Sequence, residues 1–141
     1  MADSGQIRVI LRWIQIKDNK EAMWDDEGEF RFRSVVTTAG QSHEIQFPEQ
    51  GYWSISDHPR RNKVDKIDKV QYEGAYGDNL VIQLFGEEMD DFTANDHLEN
   101  YRREYSGDAS SWIGRHQPTD EGSEDPEEMS NWRLRYDIEL L

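Results

Sequence analysis

Residues 86–96, GEEMDDFTAND, crowd Glu87, Glu88, Asp90, Asp91 and Asp96 into one short stretch. A second group, Asp18, Glu21, Asp25, Asp26 and Glu27, lies in KDNKEAMWDDEGEF, and a third occupies residues 120–128. Carboxylates this dense repel one another at neutral pH unless water, a basic partner or a cation offsets them. Hard cations such as Ca2+ take roughly six to eight oxygens, commonly carboxylates drawn from separate loops. The first two groups fit that demand if their loops meet. Solvated loops of an acidic chain account equally for clusters of this kind, and the third group reads as simply solvated.

Other site chemistries fit less well. An EF-hand counted from Asp91 needs Gly at the sixth position and Glu at the twelfth, where this chain has Asp96 and Arg102. His43, His58, His97 and His116 are too scattered for a zinc pair, and cysteine is absent. There is no phosphate-binding glycine loop, dinucleotide fingerprint or nucleophile elbow. HEIQF lacks the second histidine of a zincin. Paired carboxylates for glycoside hydrolysis require a cleft, for which a sandwich of this length leaves little room. The expectation is a non-enzymatic chain.

The elements that must position these residues read as strands. NWRLRYDIELL alternates Trp132, Leu134, Tyr136, Ile138 and Leu140 with Arg133, Arg135, Asp137 and Glu139, giving one buried and one wet face. QIRVILRWIQI starts with Ile7, Val9, Leu11 and Trp13 in phase, then shifts to Ile14 and Ile16, which predicts a bulge or burial on both sides. EFRFRSVVTT, HEIQF, YWSIS, KVQYEGAY, NLVIQLF and LENYRREY complete about eight strands, separated by the turn signals AGQS, PEQG, DHPRRN and YGDN. YGDN is short enough to predict a hairpin between 70–76 and 79–85. Residues 114–131 read as a long acidic surface loop. The fold class expected is all-β: one domain over 1–141, a single antiparallel β-sandwich.

This arrangement resembles the C2 domain family, an eight-stranded calcium-binding sandwich. The likeness rests on IRVILRWIQIKDNKEAMWDDEGEFRFRSV, a strand leading through an acidic loop to a second strand, and on LVIQLFGEEMDDFTANDHL, an apolar strand running into an Asp-rich loop. The resemblance implies Asp18 and Asp25 or Asp26 as first-loop Ca2+ ligands, and Glu87, Asp90 or Asp91, and Asp96 as later-loop ligands. It also implies that Met23, Trp24, Met89 and Phe92 sit at loop tips, where they would contact a membrane or partner; folding back over the core is the alternative. The family's Ser-Asp-Pro-Tyr after the first loop is replaced here by Asp26-Glu27-Gly28-Glu29-Phe30, and its Asp-x-Asp at the later strand exit by Gly86-Glu87-Glu88.

Composition narrows the partner. The 141 residues carry 30 acids against 16 bases, a net charge of −14. That argues against nucleic acid, whose phosphates need a basic footprint. The basic stretch HPRRNKVDKIDK, with Arg60, Arg61, Lys63, Lys66 and Lys69, offers an anion contact or a strand edge guarded against pairing. No apolar run nears the roughly 20 residues that span a bilayer, and MADSGQIRV is no signal peptide, so a cytoplasmic protein is expected. The implied function is a calcium-binding module that docks a phospholipid surface or a protein partner. The alternatives are a metal-free assembly sandwich and a carbohydrate-binding module using Trp24, Trp53 and Trp112. The oligomeric state is not legible.

Overall fold

In the computed structural model, residues 5–16, 27–56, 63–88, 96–118, 125–129 and 132–141 are described. The chain order is β1 (Gln6–Ile16), β2 (Glu27–Thr38), β3 (Gln41–Phe47), β4 (Trp53–Ser56), β5 (Lys63–Val64), β6 (Lys69–Ala75), β7 (Asn79–Glu88), β8 (Asp96–His97), β9 (Tyr101–Ser106), β10 (Gly114–His116) and β11 (Trp132–Leu140). All eight expected segments are strands; β5, β8 and β10 are short additions. A single 3-10 turn, Ala109–Ser111, is the one helical element among the described residues. None of their helices is long and apolar enough to cross a membrane.

Two antiparallel sheets form a sandwich. The first runs β10-β11-β1, with β5 and β6 both on the far side of β1; the second runs β3-β2-β7, with β4 on β2 and both β8 and β9 on β7. Alternation decides what lies between them. Ile7, Val9, Leu11, Trp132, Leu134, Tyr136 and Ile138 from the first sheet meet Phe30, Phe32, Val36, Leu80, Ile82 and Leu84 from the second, all essentially without solvent contact. Burying side chains of this size contributes about 1.5–3 kcal/mol each.

The phase shift in β1 is a bulge. Leu11 pairs Tyr136 and Trp13 pairs Arg135, so Arg12 is the extra residue and Ile14 and Ile16 return to the core. Arg12 is turned outward to Asp137 (2.9 Å) and Asp68 (2.9 Å). Around it the outer face of the first sheet is a ladder of ion pairs: Arg8 with Glu73 at 2.7 Å, Arg135 with Asp137 at 3.1 Å, and Arg133 with Glu128 at 2.9 Å. Lys63 and Lys69 sit at its edge, Lys63 4.3 Å from the Trp13 ring and Lys69 3.3 Å from Glu49.

Two expectations are corrected. YGDN closes no hairpin: β6 pairs β1 in the first sheet and β7 pairs β2 in the second, so the chain crosses between sheets there. Thr38 fixes that crossing, its Oγ1 accepting from the Gly77 amide at 3.0 Å and donating to the Asn79 carbonyl at 2.7 Å. Nor is 114–131 simply a surface loop. Gly114–His116 pairs with Ile138–Tyr136 as an edge strand, and Glu127, which composition read as solvated, is 2% exposed.

Candidate functional site

Register brings the strands that bound the acidic segments to one end of the sandwich. Phe30 near the start of β2 pairs with Glu88 at the end of β7, and Glu27 pairs with Ser56 at the end of β4. On the other sheet the last turn of β1 pairs with β5 and with the start of β11, as in Gln15 with Lys63 and Ile16 with Trp132. The strands flanking 17–26, 57–62 and 89–95 therefore all end at this pole. The condition set by the sequence, that the two acidic loops leave one end, is met by their anchoring strands.

Asp18, Met23, Trp24, Asp25, Asp26, Met89, Asp90, Asp91 and Phe92 lie outside the described residues. Asp96 is placed by its backbone alone, in β8 opposite Glu88. Glu87 lies on the outer face of β7 and accepts a hydrogen bond from Arg31 Nη2 at 2.9 Å. Among the described residues no three His, Asp or Glu side chains converge tightly enough to hold a metal.

What the described residues do build at this pole is a groove of about 450 Å³ on the outer face of the second sheet. The period-two alternation that buries Phe30 and Phe32 turns Arg31 and Arg33 outward on β2. The neighbouring strand contributes Phe85 and Glu87, with Gln46 from β3 and His97 and Asn100 from the β8–β9 segment. Gly86 sets the shape. A Cβ there would lie 2.6 Å from Leu98 Cδ1 and 3.0 Å from the Phe32 ring. Its absence lets Leu98 pack down, hold its amide 2.9 Å from the Gly86 carbonyl, and bring His97 and Asn100 to the rim.

The groove is cationic and aromatic. The Arg33 guanidinium lies 4.8 Å from the centre of the Phe85 ring. Its ion pair with Glu44 is long, 3.6 Å, and both side chains are more than half exposed, so solvent screens it heavily. Arg33, His97, Gln46 and Asn100 thus offer donors beside an apolar floor, a combination suited to an anionic group carried on an apolar body. The sequence reading missed this site. Its signal was Phe85 standing in the solvent phase of NLVIQLF, in register with Arg33.

Of the three tryptophans proposed for sugar binding, Trp24 lies outside the described residues and the other two are not free platforms. Trp112 is 1% exposed, and Trp53 packs 5.9 Å from Phe32 and 5.8 Å from Phe47. Both belong to the core and its margin.

No protein-family model matches the chain, and no curated protein matches it by sequence. Among solved structures it is similar to human GIVD cytosolic phospholipase A2, determined with methyl γ-linolenyl fluorophosphonate. Identity is 12%, the TM-score is 0.52, and the match covers 99% of this chain but 17% of that one. The chain spans less than a fifth of that protein's length, and a likeness at this identity is one of fold. The fold is a C2-like antiparallel β-sandwich.

Proposed function

We propose that the chain is a non-enzymatic docking module that engages an anionic phospholipid surface through one pole of the sandwich. The observation that carries this reading is the continuity of that pole with the groove. The strands flanking 17–26 and 89–95 end beside His97 and the Arg31–Glu87 pair, at the mouth of the groove that carries Arg33. In this reading Ca2+ is held by Asp18, Asp25 or Asp26, Asp90 or Asp91, and Asp96. Metal binding cancels the mutual repulsion of these carboxylates and lets Met23, Trp24, Met89 and Phe92 approach the bilayer. Glu87 contributes through Arg31, as the groove's inner counter-ion. The likeness in fold to part of a phospholipase agrees with a lipid surface as partner.

Co-sedimentation with vesicles tests the proposal, comparing phosphatidylserine–phosphatidylcholine with phosphatidylcholine alone, in Ca2+ and in Mg2+ at matched ionic strength. Binding that needs both Ca2+ and the anionic lipid, and that falls when Arg33→Ala is introduced, is expected. Equal partition in all four conditions would leave the metal-free assembly reading, for which the ion-paired outer face of the first sheet and its balanced charge give no anchor.

A further inference from the structure

Two cross-strand rows build the groove on the second sheet. In the inner row Gln46, Arg33 and Phe85 lie side by side on β3, β2 and β7. In the row nearer the pole Arg31, Glu87 and His97 lie side by side on β2, β7 and β8. Directly opposite residues of an antiparallel pair share a face, with Cβ atoms about 4.5–5.5 Å apart. Arg31 and Arg33, two apart on one strand, share that face as well. Each row thus brings one guanidinium to the groove, but the two are held differently. Arg33 rests on the Phe85 ring, and its pair with Glu44 is long, 3.6 Å. Arg31 is held by Glu87, Nη2 to Oε1, at 2.9 Å.

Glu87 is the one acid among the described residues that line the groove. It stands between Arg31 and His97, where an anion from outside would be received. We propose that the Arg31–Glu87 pair is a self-inhibiting contact: the Glu87 carboxylate occupies the groove's second anion seat, and an anionic headgroup displaces it to reach Arg31. The inference rests on the docking reading above for the identity of the displacing group, an anionic phospholipid.

The pair is built to yield. The Arg31 and Glu87 side chains are 38% and 27% exposed, and ion pairs this open to solvent hold weakly. A displaced Glu87 carboxylate is returned to water, so its release strands no buried charge, as the breaking of a fully buried pair would. A headgroup phosphate presents more acceptor oxygens to the guanidinium fork than the single Glu87 oxygen does. At rest the groove offers one loosely held guanidinium, Arg33. Once Glu87 swings out it offers two.

Titration with inorganic phosphate in the presence of chelator, at constant ionic strength, separates the seat from metal and membrane, and the arginine Nε resonances report it by NMR. Glu87→Gln keeps the size of the side chain and removes its charge. It is expected to lower the phosphate Kd roughly two- to fivefold, the range spanned by an exposed ion pair, with shifts at both Arg31 and Arg33. The gain should vanish when Arg31→Gln is also present. Glu73→Gln makes the same charge change in the Arg8 pair on the opposite face and should leave the Kd as it was. Equal Kd values in wild type and Glu87→Gln, a gain that survives Arg31→Gln, or an equal gain from Glu73→Gln would overturn the self-inhibition. Phosphatidylserine–phosphatidylcholine vesicles in Ca2+ test the docking reading separately. The same gain there supports both. A gain with phosphate but no vesicle binding by any variant keeps the self-inhibiting contact and removes the phospholipid as its ligand.

Discussion

Gly77 lies directly against the backbone of Ala39. A Cβ at Gly77 would fall 3.0 Å from the Ala39 nitrogen and 3.1 Å from its Cα. Ala39 is itself held at φ +52° in the two-residue turn between β2 and β3, next to Gly40 at φ +73°. Both values suit the mirror-image turn that a tight hairpin prefers. The sheet-to-sheet crossing is thus wedged against a turn whose backbone has little freedom to move. Gly77→Ala should lower stability by about 1–3 kcal/mol through overpacking, read as a reduced urea midpoint at an unchanged slope. An unchanged midpoint would mean that the crossing relaxes freely.

A polar pair bridges the two sheets inside the core. Gln71 of β6 donates from Nε2 to Ser34 Oγ of β2 at 2.8 Å, and both residues are wholly buried. Ser34→Ala strands the amide and should cost about 1–3 kcal/mol, whereas adding Gln71→Met removes the stranded group and should recover most of that loss. A double-mutant cycle in denaturant measures the difference. Additive losses would remove the case for coupling.

Acid should weaken the first sheet from its outer face. Burial alone would raise the Asp137 carboxyl. The hydrogen bonds from Arg135 and Arg12 outweigh it and hold the group below its usual range. The stabilisation is therefore complete above the unfolded value of about 3.9 and is lost as pH falls through the lower folded value. Asp137→Asn should be less stable than wild type at pH 7 and should show a shallower loss below pH 4 in denaturant titrations. Parallel acid limbs in the two proteins would contradict this.

If the acidic pole holds Ca2+, binding at a hundredfold excess over Kd stabilises the fold by about 2.7 kcal/mol. A thermal melt of chelator-stripped protein should then show a rise with Ca2+ that Mg2+ does not reproduce. Asp96→Asn should shrink that rise and Asp120→Asn should not. Equal effects of the two substitutions would dissociate the stabilisation from the proposed ligands.

Period-two patterning was enough to place the long strands, and the shifted phase in QIRVILRWIQI left a bulge or two-sided burial open, of which the register shows the bulge, at Arg12. Pairing was less legible. Alternation states which side of a strand is buried but not which sheet it joins, so KVQYEGAY and NLVIQLF, separated by a turn signal, looked like a hairpin. Thr38, some forty residues away, is what anchors that turn between the sheets. Glu127 was unreadable for a related reason. Its neighbours are those of a solvated loop, and only Tyr101 and Arg103, distant in sequence, make its burial possible. The groove demanded the register of β2, β3, β7 and β8 at once, which no local pattern contains. The acidic pole was legible as composition and, through the strand ends, as a shared location.

The first and last strands are paired along nearly their whole length, Ile7 with Leu140 at one end and Ile16 with Trp132 at the other. Contacts this distant along the chain make for slow folding, because a large loop must close before they stabilise anything. During synthesis β1 leaves the ribosome with an apolar flank and waits for β11 until all the intervening strands have been made. The second sheet, whose β2–β3 hairpin is local, can form in the meantime. Until β11 follows, the nascent chain is thus half a sandwich, and its exposed inner face is the surface a chaperone would meet first.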